Sequence, residues 1–148
     1  MKVLFICTGN TCRSCMAEAI ARCEADKQDM DIVFSSAGIH ACKGDGASHN
    51  AFHVMRERGI DLSRHSASPI TQEALEGADI VFTMTSSHKN TILSEYPKLR
   101  EKIFTLKEYV GEKGEVSDPF GGDISVYEEC AKELKFLIEK LLIKLRES

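Results

Sequence analysis

Cys7 and Arg13 stand five residues apart between an apolar run and a helical pattern, in the segment VLFICTGNTCRSCMAEAI from Val3 to Ile20. A thiol and a guanidinium at that spacing suit a phosphate-like dianion. The thiolate can attack it, and the planar fork of the arginine can hold two of its equatorial oxygens at once. A loop that runs from a strand straight into a helix adds backbone N–H groups and the positive helix end to the same concavity. That field favours thiolate over thiol at Cys7.

The intervening residues Thr8, Gly9, Asn10, Thr11 and Cys12 are therefore the expected substrate-binding wall. Gly9 lets the backbone approach an anion closely or take a positive φ. Asn10 tolerates a left-handed conformation while its amide pins the loop. Ser14 is expected to cap the following helix and to donate its hydroxyl to the Cys7 sulfur as that sulfur becomes a leaving group. A second group must protonate the atom that departs from phosphorus, and Asp118, in a polar loop with its backbone fixed by Pro119, is the candidate. Taken alone, Asp118-Pro119 reads as a turn; beside Cys7 and Arg13 it reads as an acid. No metal and no cofactor is needed for this chemistry.

The elements that must position these groups can be read from pattern. Val3 to Ile6 is short and continuously apolar, as in a strand buried on both faces of a parallel sheet. The helix after it is expected to bury Met16, Ala17, Ile20 and Cys23. Asp31 to Ser35 reads as a second strand ending in Ser36-Ala37-Gly38, and His40 to Ala47 as a loop. Ser48 caps a helix to about Arg58 that Gly59 stops, and Pro69 opens a short helix through Leu75 to Gly77. A strand at Asp79 to Met84 follows, then a helix capped by Ser86 or Ser87 and stopped before Pro97. A fourth strand spans Lys102 to Leu106. The last helix carries a Ser125–Glu128 capping-box pattern, and its apolar face (Ile124, Tyr127, Ala131, Leu134, Ile138, Leu141, Leu145) is expected to cover the sheet rather than form a coiled coil. Strands alternating with helices predict an α/β fold: a doubly wound, four-stranded parallel sheet with helices on both faces, and ligands at the carboxyl ends of the strands.

Composition limits the alternatives. A chain of 148 residues, 43% hydrophobic and 28% charged, is expected to form one domain over 1–148 with a core that needs no disulfide or metal. Its net charge of −4 argues against nucleic acid and against a polybasic membrane anchor. No stretch approaches ~20 apolar residues and no leader precedes the first strand, so a cytoplasmic location is expected. The six cysteines, at 7, 12, 15, 23, 42 and 130, are expected to be reduced thiols. Cys12 is placed to form a reversible disulfide with Cys7 on oxidation. His49 and His53 lie four apart but lack the Glu of a metal-binding helix, and read as a solvated face.

The segment ICTGNTCRS resembles the signature of the low-molecular-weight protein tyrosine phosphatase family, C-x-G-N-x-C-R-S, at Cys7, Gly9, Asn10, Cys12, Arg13 and Ser14. Ser36-Ala37-Gly38, His65 and Asp118-Pro119-Phe120 resemble further family landmarks in order, so the likeness spans nearly the whole chain. It implies a cysteinyl-phosphate intermediate, with Asp118 as general acid and then as base for the attacking water. It also implies that His65 and Ser36 brace the loop through Asn10. Cys15 departs from the pattern, because the family usually has proline there.

Thr11 bears on the substrate. Tyrosine-directed members typically carry an aliphatic residue at this loop position, whereas Thr11 resembles the bacterial protein arginine phosphatases, as do Phe120-Gly121-Gly122 and Ser68. A hydroxyl in the wall suits a guanidinium leaving group, and Phe120 is expected to line the pocket. The expected partners are proteins phosphorylated on arginine, acted on by a monomer, with phosphotyrosine as the alternative. An arsenate reductase would need two further relay cysteines beyond the site, where only Cys130 stands. A non-catalytic phosphoprotein-binding module would lack the nucleophile or the acid.

Overall fold

The computed structural model describes residues 1–147. Four strands, β1 (Lys2–Cys7), β2 (Val33–Gly38), β3 (Ile80–Thr83) and β4 (Ile103–Thr105), form one parallel sheet in the order β2-β1-β3-β4. The sequence-based fold class is therefore correct. Side chains alternate along β1. Val3 and Phe5 enter one apolar cluster while Leu4 and Ile6 enter another, which is why this strand reads as apolar at every position.

The first cluster is closed by α1 (Arg13–Lys27), α2 (His49–Glu57), the short α5 (Leu106–Tyr109) and α6 (Ile124–Glu147). The second lies under α3 (Gln72–Gly77), α4 (Ser86–Glu95) and a 3₁₀ turn at Pro97–Glu101. Six of the seven residues assigned to the apolar face of α6 are buried, Ile124 being half-buried, and they lie against β1 and α1. That helix covers the sheet, as its periodicity indicates.

Several local expectations shift by a residue or two. On α1, Ala21 and Ala25 are buried while Cys23 is only half-buried. β2 starts at Val33 and runs on through Ser36, Ala37 and Gly38, because its register pairs Gly38 with Cys7. Pro69 does not open a helix; it bridges to Gly38, and Thr71 caps α3 by accepting from Ala74 N at 3.0 Å. Thr85, not Ser86 or Ser87, caps α4 by accepting from His88 N. β4 ends at Thr105, whose hydroxyl forms a capping box with Glu108 and turns the chain into α5. At α6 the Asp123 carboxylate accepts from Val126 N, while Ser125 lies inside the helix and donates to Asp123. At α3, α4 and α6 a Thr or Asp just off the expected position takes the cap.

Candidate active site

The chain passes from β1 to β2 on one side and returns to β3 on the other, so β1 and β3 flank the point where the strand order reverses. Ligands of open α/β sheets bind outside the carboxyl ends of the strands at such a point. Cys7 is the last residue of β1 and Arg13 the first of α1. A cavity of about 240 Å³ is bordered by Cys7, Thr8, Gly9, Thr11, Cys12, Arg13, Asp118 and Phe120. Every residue assigned to catalysis or substrate binding lines it except Asn10 and Ser14, which lie behind the wall, fully buried.

Those two residues shape it. Asn10 has φ 59°, the left-handed conformation its residue type tolerates. Its Oδ1 accepts from Ser68 N at 3.0 Å, which orients the amide so that Nδ2 donates to Ser14 Oγ (2.8 Å) and to Ser36 Oγ (2.9 Å). Ser14 Oγ lies 2.9 Å from Cys7 Sγ, placed to donate to a thiolate there, and Ser14 N donates to the same sulfur at 3.4 Å. This is also why Ser14 does not cap α1: its hydroxyl belongs to Cys7, and Cys12 occupies the cap position with no side-chain bond. The first turn of α1 keeps its uncapped dipole facing the cavity.

His65 and Ser36 both reach the loop. His65 Nε2 bonds the Asn10 carbonyl at 2.6 Å, and Ser36 donates onward to Glu18 at 2.6 Å. The residue whose backbone must approach most closely is Gly38. A Cβ there would stand 2.6 Å from Thr8 O and 2.9 Å from Asn10 N, so the second strand packs directly on the loop. Gly9 is not at positive φ; Asn10 supplies the left-handed turn instead.

Arg13 is buried and held from outside the loop. One guanidinium nitrogen donates to Val116 O at 2.9 Å and the other lies 3.6 Å from the half-exposed Asp118 carboxylate. Asp118 Oδ1 in turn accepts from Phe120 N at 3.1 Å, a turn that presents Phe120, 78% exposed, at the cavity mouth. Cys12 Sγ sits between Ser48 Oγ (3.5 Å) and Tyr127 OH (3.3 Å); burial and that thiol push the Tyr127 hydroxyl up to about 12. The Cys15 thiol is 1% exposed and donates to Cys12 O. Burial, with Cys7 and Cys12 nearby, raises its pKa well above the ordinary value, so it stays a thiol.

His88 was not among the residues singled out from sequence. It lies in the first turn of α4, 7% exposed, with Nε2 2.9 Å from Thr8 Oγ1, and thus links the loop after β3 to the loop after β1. Its Nδ1 is buried without a hydrogen-bond partner among the described residues. Burial first, then the Arg13 charge, lowers its pKa from 6.5 to about 4, so the ring is neutral at pH 7. A polar residue one turn into the helix that follows the strand at the switch point is the signal that identifies it.

This ring makes stability depend on pH. The unfolded chain takes up the His88 proton near its ordinary pKa while the folded chain resists until about 4. Stability from this group is therefore complete above about pH 6.5 and is lost as pH falls toward 4, by on the order of 2 kcal/mol. Thermal unfolding of wild type and His88→Gln across that window checks this: the variant has the flatter pH dependence, and parallel curves contradict the assignment.

A family model described as low molecular weight phosphotyrosine protein phosphatase matches residues 2–148. The chain is 43% identical over 147 residues to a protein-arginine-phosphatase of Bacillus subtilis, covering 99% of this chain and 97% of that one. Among solved structures, one of a YwlE arginine phosphatase mutant with a phosphorylated active-site serine superposes with a TM-score of 0.97 at 42% identity, covering 100% and 97% of the two chains. A low molecular weight protein tyrosine phosphatase from T. tengcongensis gives 0.94 at 48% identity, covering 97% and 99%. The loop, its bracing and the match over residues 2–148 agree: this chain belongs to the low molecular weight phosphotyrosine protein phosphatase family.

Proposed function

We propose that this protein hydrolyses phosphoarginine in proteins through a cysteinyl-phosphate on Cys7. The observation that carries the substrate choice is the place of Thr11, a hydroxyl-bearing residue, in the lining of a cavity that also holds Cys7, Arg13 and Asp118. The likeness to protein-arginine-phosphatases over nearly the full chain supports it.

In the first step the Cys7 thiolate attacks phosphorus, the P–N bond breaks, and Asp118 gives its proton to the departing guanidine nitrogen. Guanidine is too basic to leave as an anion, so this proton is essential. Arg13 and the N–H groups of residues 8–14 hold the three equatorial oxygens as charge spreads over them. In the second step a water attacks the phosphorus of the cysteinyl-phosphate and gives a proton to the Asp118 carboxylate. The Cys7 thiolate departs, stabilised by the Ser14 hydroxyl 2.9 Å away. Asn10, Ser36 and His65 hold the loop in shape, Thr8, Gly9, Thr11 and Cys12 form the walls, and Phe120 covers the substrate stem. The reaction uses no metal or cofactor. On this reading residues 1–148 are one phosphatase domain, monomeric and cytoplasmic; the burial of the apolar face of α6 in the shared core supports the single domain. Among the described residues no helix is long and apolar enough to cross a membrane.

The test is steady-state turnover of matched peptides phosphorylated on arginine or on tyrosine. Wild type prefers phosphoarginine, and Thr11→Ile shifts the ratio of kcat/KM toward phosphotyrosine by about 10- to 100-fold, since the hydroxyl's polar contact is lost and an apolar wall favours a phenyl ring. A wild-type preference for phosphotyrosine overturns the substrate assignment, and an unchanged ratio in Thr11→Ile overturns the role of Thr11.

A further inference from the structure

A second cavity of about 710 Å³ lies beside the first, along the N-terminal turns of α6. Asp118 borders both cavities, so the loop that carries it is a shared wall. The outer cavity has an apolar side, with Pro119, Val126 and Phe136; the last two are exposed large hydrophobic side chains. Its other side is charged. Glu128, Glu129, Glu133 and Asp118 face it together with a single cation, Lys132. Of these carboxylates, Glu133 is paired with Lys107 outside the cavity at 2.9 Å and Glu129 weakly with Lys132 at 3.4 Å. Glu128 is exposed and has no ion-pair partner among the described residues.

The inner cavity has room for one phosphorylated side chain, so the polypeptide that bears it must continue across the rim. A strand advances ~3.3 Å per residue, which brings the side chains within a few positions of the phosphorylated residue over an adjoining groove. We infer that this groove receives the segment flanking the phosphorylated residue, and that it selects flanks carrying lysine or arginine on an apolar stem. Such side chains lay their methylenes on Phe136 and Val126 and place their charge among Glu128, Glu129 and Asp118. The inference rests on the phosphoprotein phosphatase reading above and adds to it a class of substrate sequence.

The experiment uses the intact protein and peptides of one length with central phosphoarginine, flanked by lysines, by alanines or by glutamates, each also made with phosphotyrosine. In wild type the lysine-flanked member of each series has the highest kcat/KM and the glutamate-flanked member the lowest, separated by about tenfold at low salt, with the difference in KM and shrinking as salt rises. The double variant Glu128→Lys/Glu129→Lys removes or inverts that ranking, whereas Glu101→Lys, a reversal outside the groove, retains it. Equal kcat/KM across the flanks in both series overturns the inference, as does a ranking that survives the double variant. Turnover of the phosphotyrosine series alone, with the lysine preference intact, keeps the groove and removes the phosphoarginine assignment.

Discussion

Cys7→Ser lowers steady-state phosphate release by on the order of 10⁴-fold or more while the protein stays folded. A serine hydroxyl is a weak nucleophile unless a neighbouring base takes its proton, and neither histidine at the loop is bonded to position 7. His65 Nε2 is bonded to the Asn10 carbonyl, and His88 Nε2 to Thr8. The Ser14 hydroxyl beside position 7 is itself too weak a base to take the proton. A thiolate attacks without such a base, and the Ser14 hydroxyl and N–H lie 2.9 and 3.4 Å from the sulfur. The substitution also changes the second step. A phosphoserine ester has a far poorer leaving group than a cysteinyl-phosphate, so any phosphate transferred to the introduced hydroxyl is held, and intact-protein mass after exposure to substrate shows one added phosphoryl group on a fraction of the variant. Turnover close to wild type would remove Cys7 from the mechanism.

Asp118→Asn lowers kcat by about 10²- to 10⁴-fold with little change in KM. The asparagine is isosteric and can still accept from Phe120 N through its carbonyl, so the turn that presents Phe120 is retained. What is lost is the proton for the departing nitrogen and the base for the water. The 3.6 Å approach of Asp118 to Arg13 is also lost, which leaves the guanidinium held by the Val116 carbonyl alone. The Val116 contact keeps Arg13 in place for phosphate binding, and measuring kcat and KM separately checks this. Single-turnover kinetics then show slowed formation of the phosphoenzyme. A variant with near-normal kcat and a raised KM would make Asp118 a binding residue only, with the acid elsewhere.

Much of the site lies in one contiguous stretch, and for that reason it was readable. Cys7 to Ser14 forms a loop whose own residues carry its signature: an asparagine that accepts a left-handed turn, the start of a helix, and a serine hydroxyl against the sulfur. The twofold alternation of β1 and the three- and four-residue steps of α6 are equally local, and both elements stand where the pattern puts them. Cap positions were less secure. Ser14 has the chemistry of a cap and is used for another purpose, while Thr85 and Asp123 take caps assigned to the serines that follow them. Hydroxyls and carboxylates compete for the same backbone donors, and the winner depends on where the preceding strand or loop delivers the chain.

The sequence by itself therefore determined the fold class and the family, and it singled out the candidate nucleophile and the loop around it. Each is encoded by residues near one another along the chain or by a period along one element. The tertiary structure alone decided what closes the site. The strand order places the loop after β3 against the loop after β1, which brings His88 to Thr8 across eighty positions and the Val116 carbonyl to Arg13 across more than a hundred. It also sets the start of α6 beside Asp118 and so creates the acidic groove. A backbone carbonyl carries no side-chain signature, and a histidine in a helix becomes part of a site only through what the sheet packs against it.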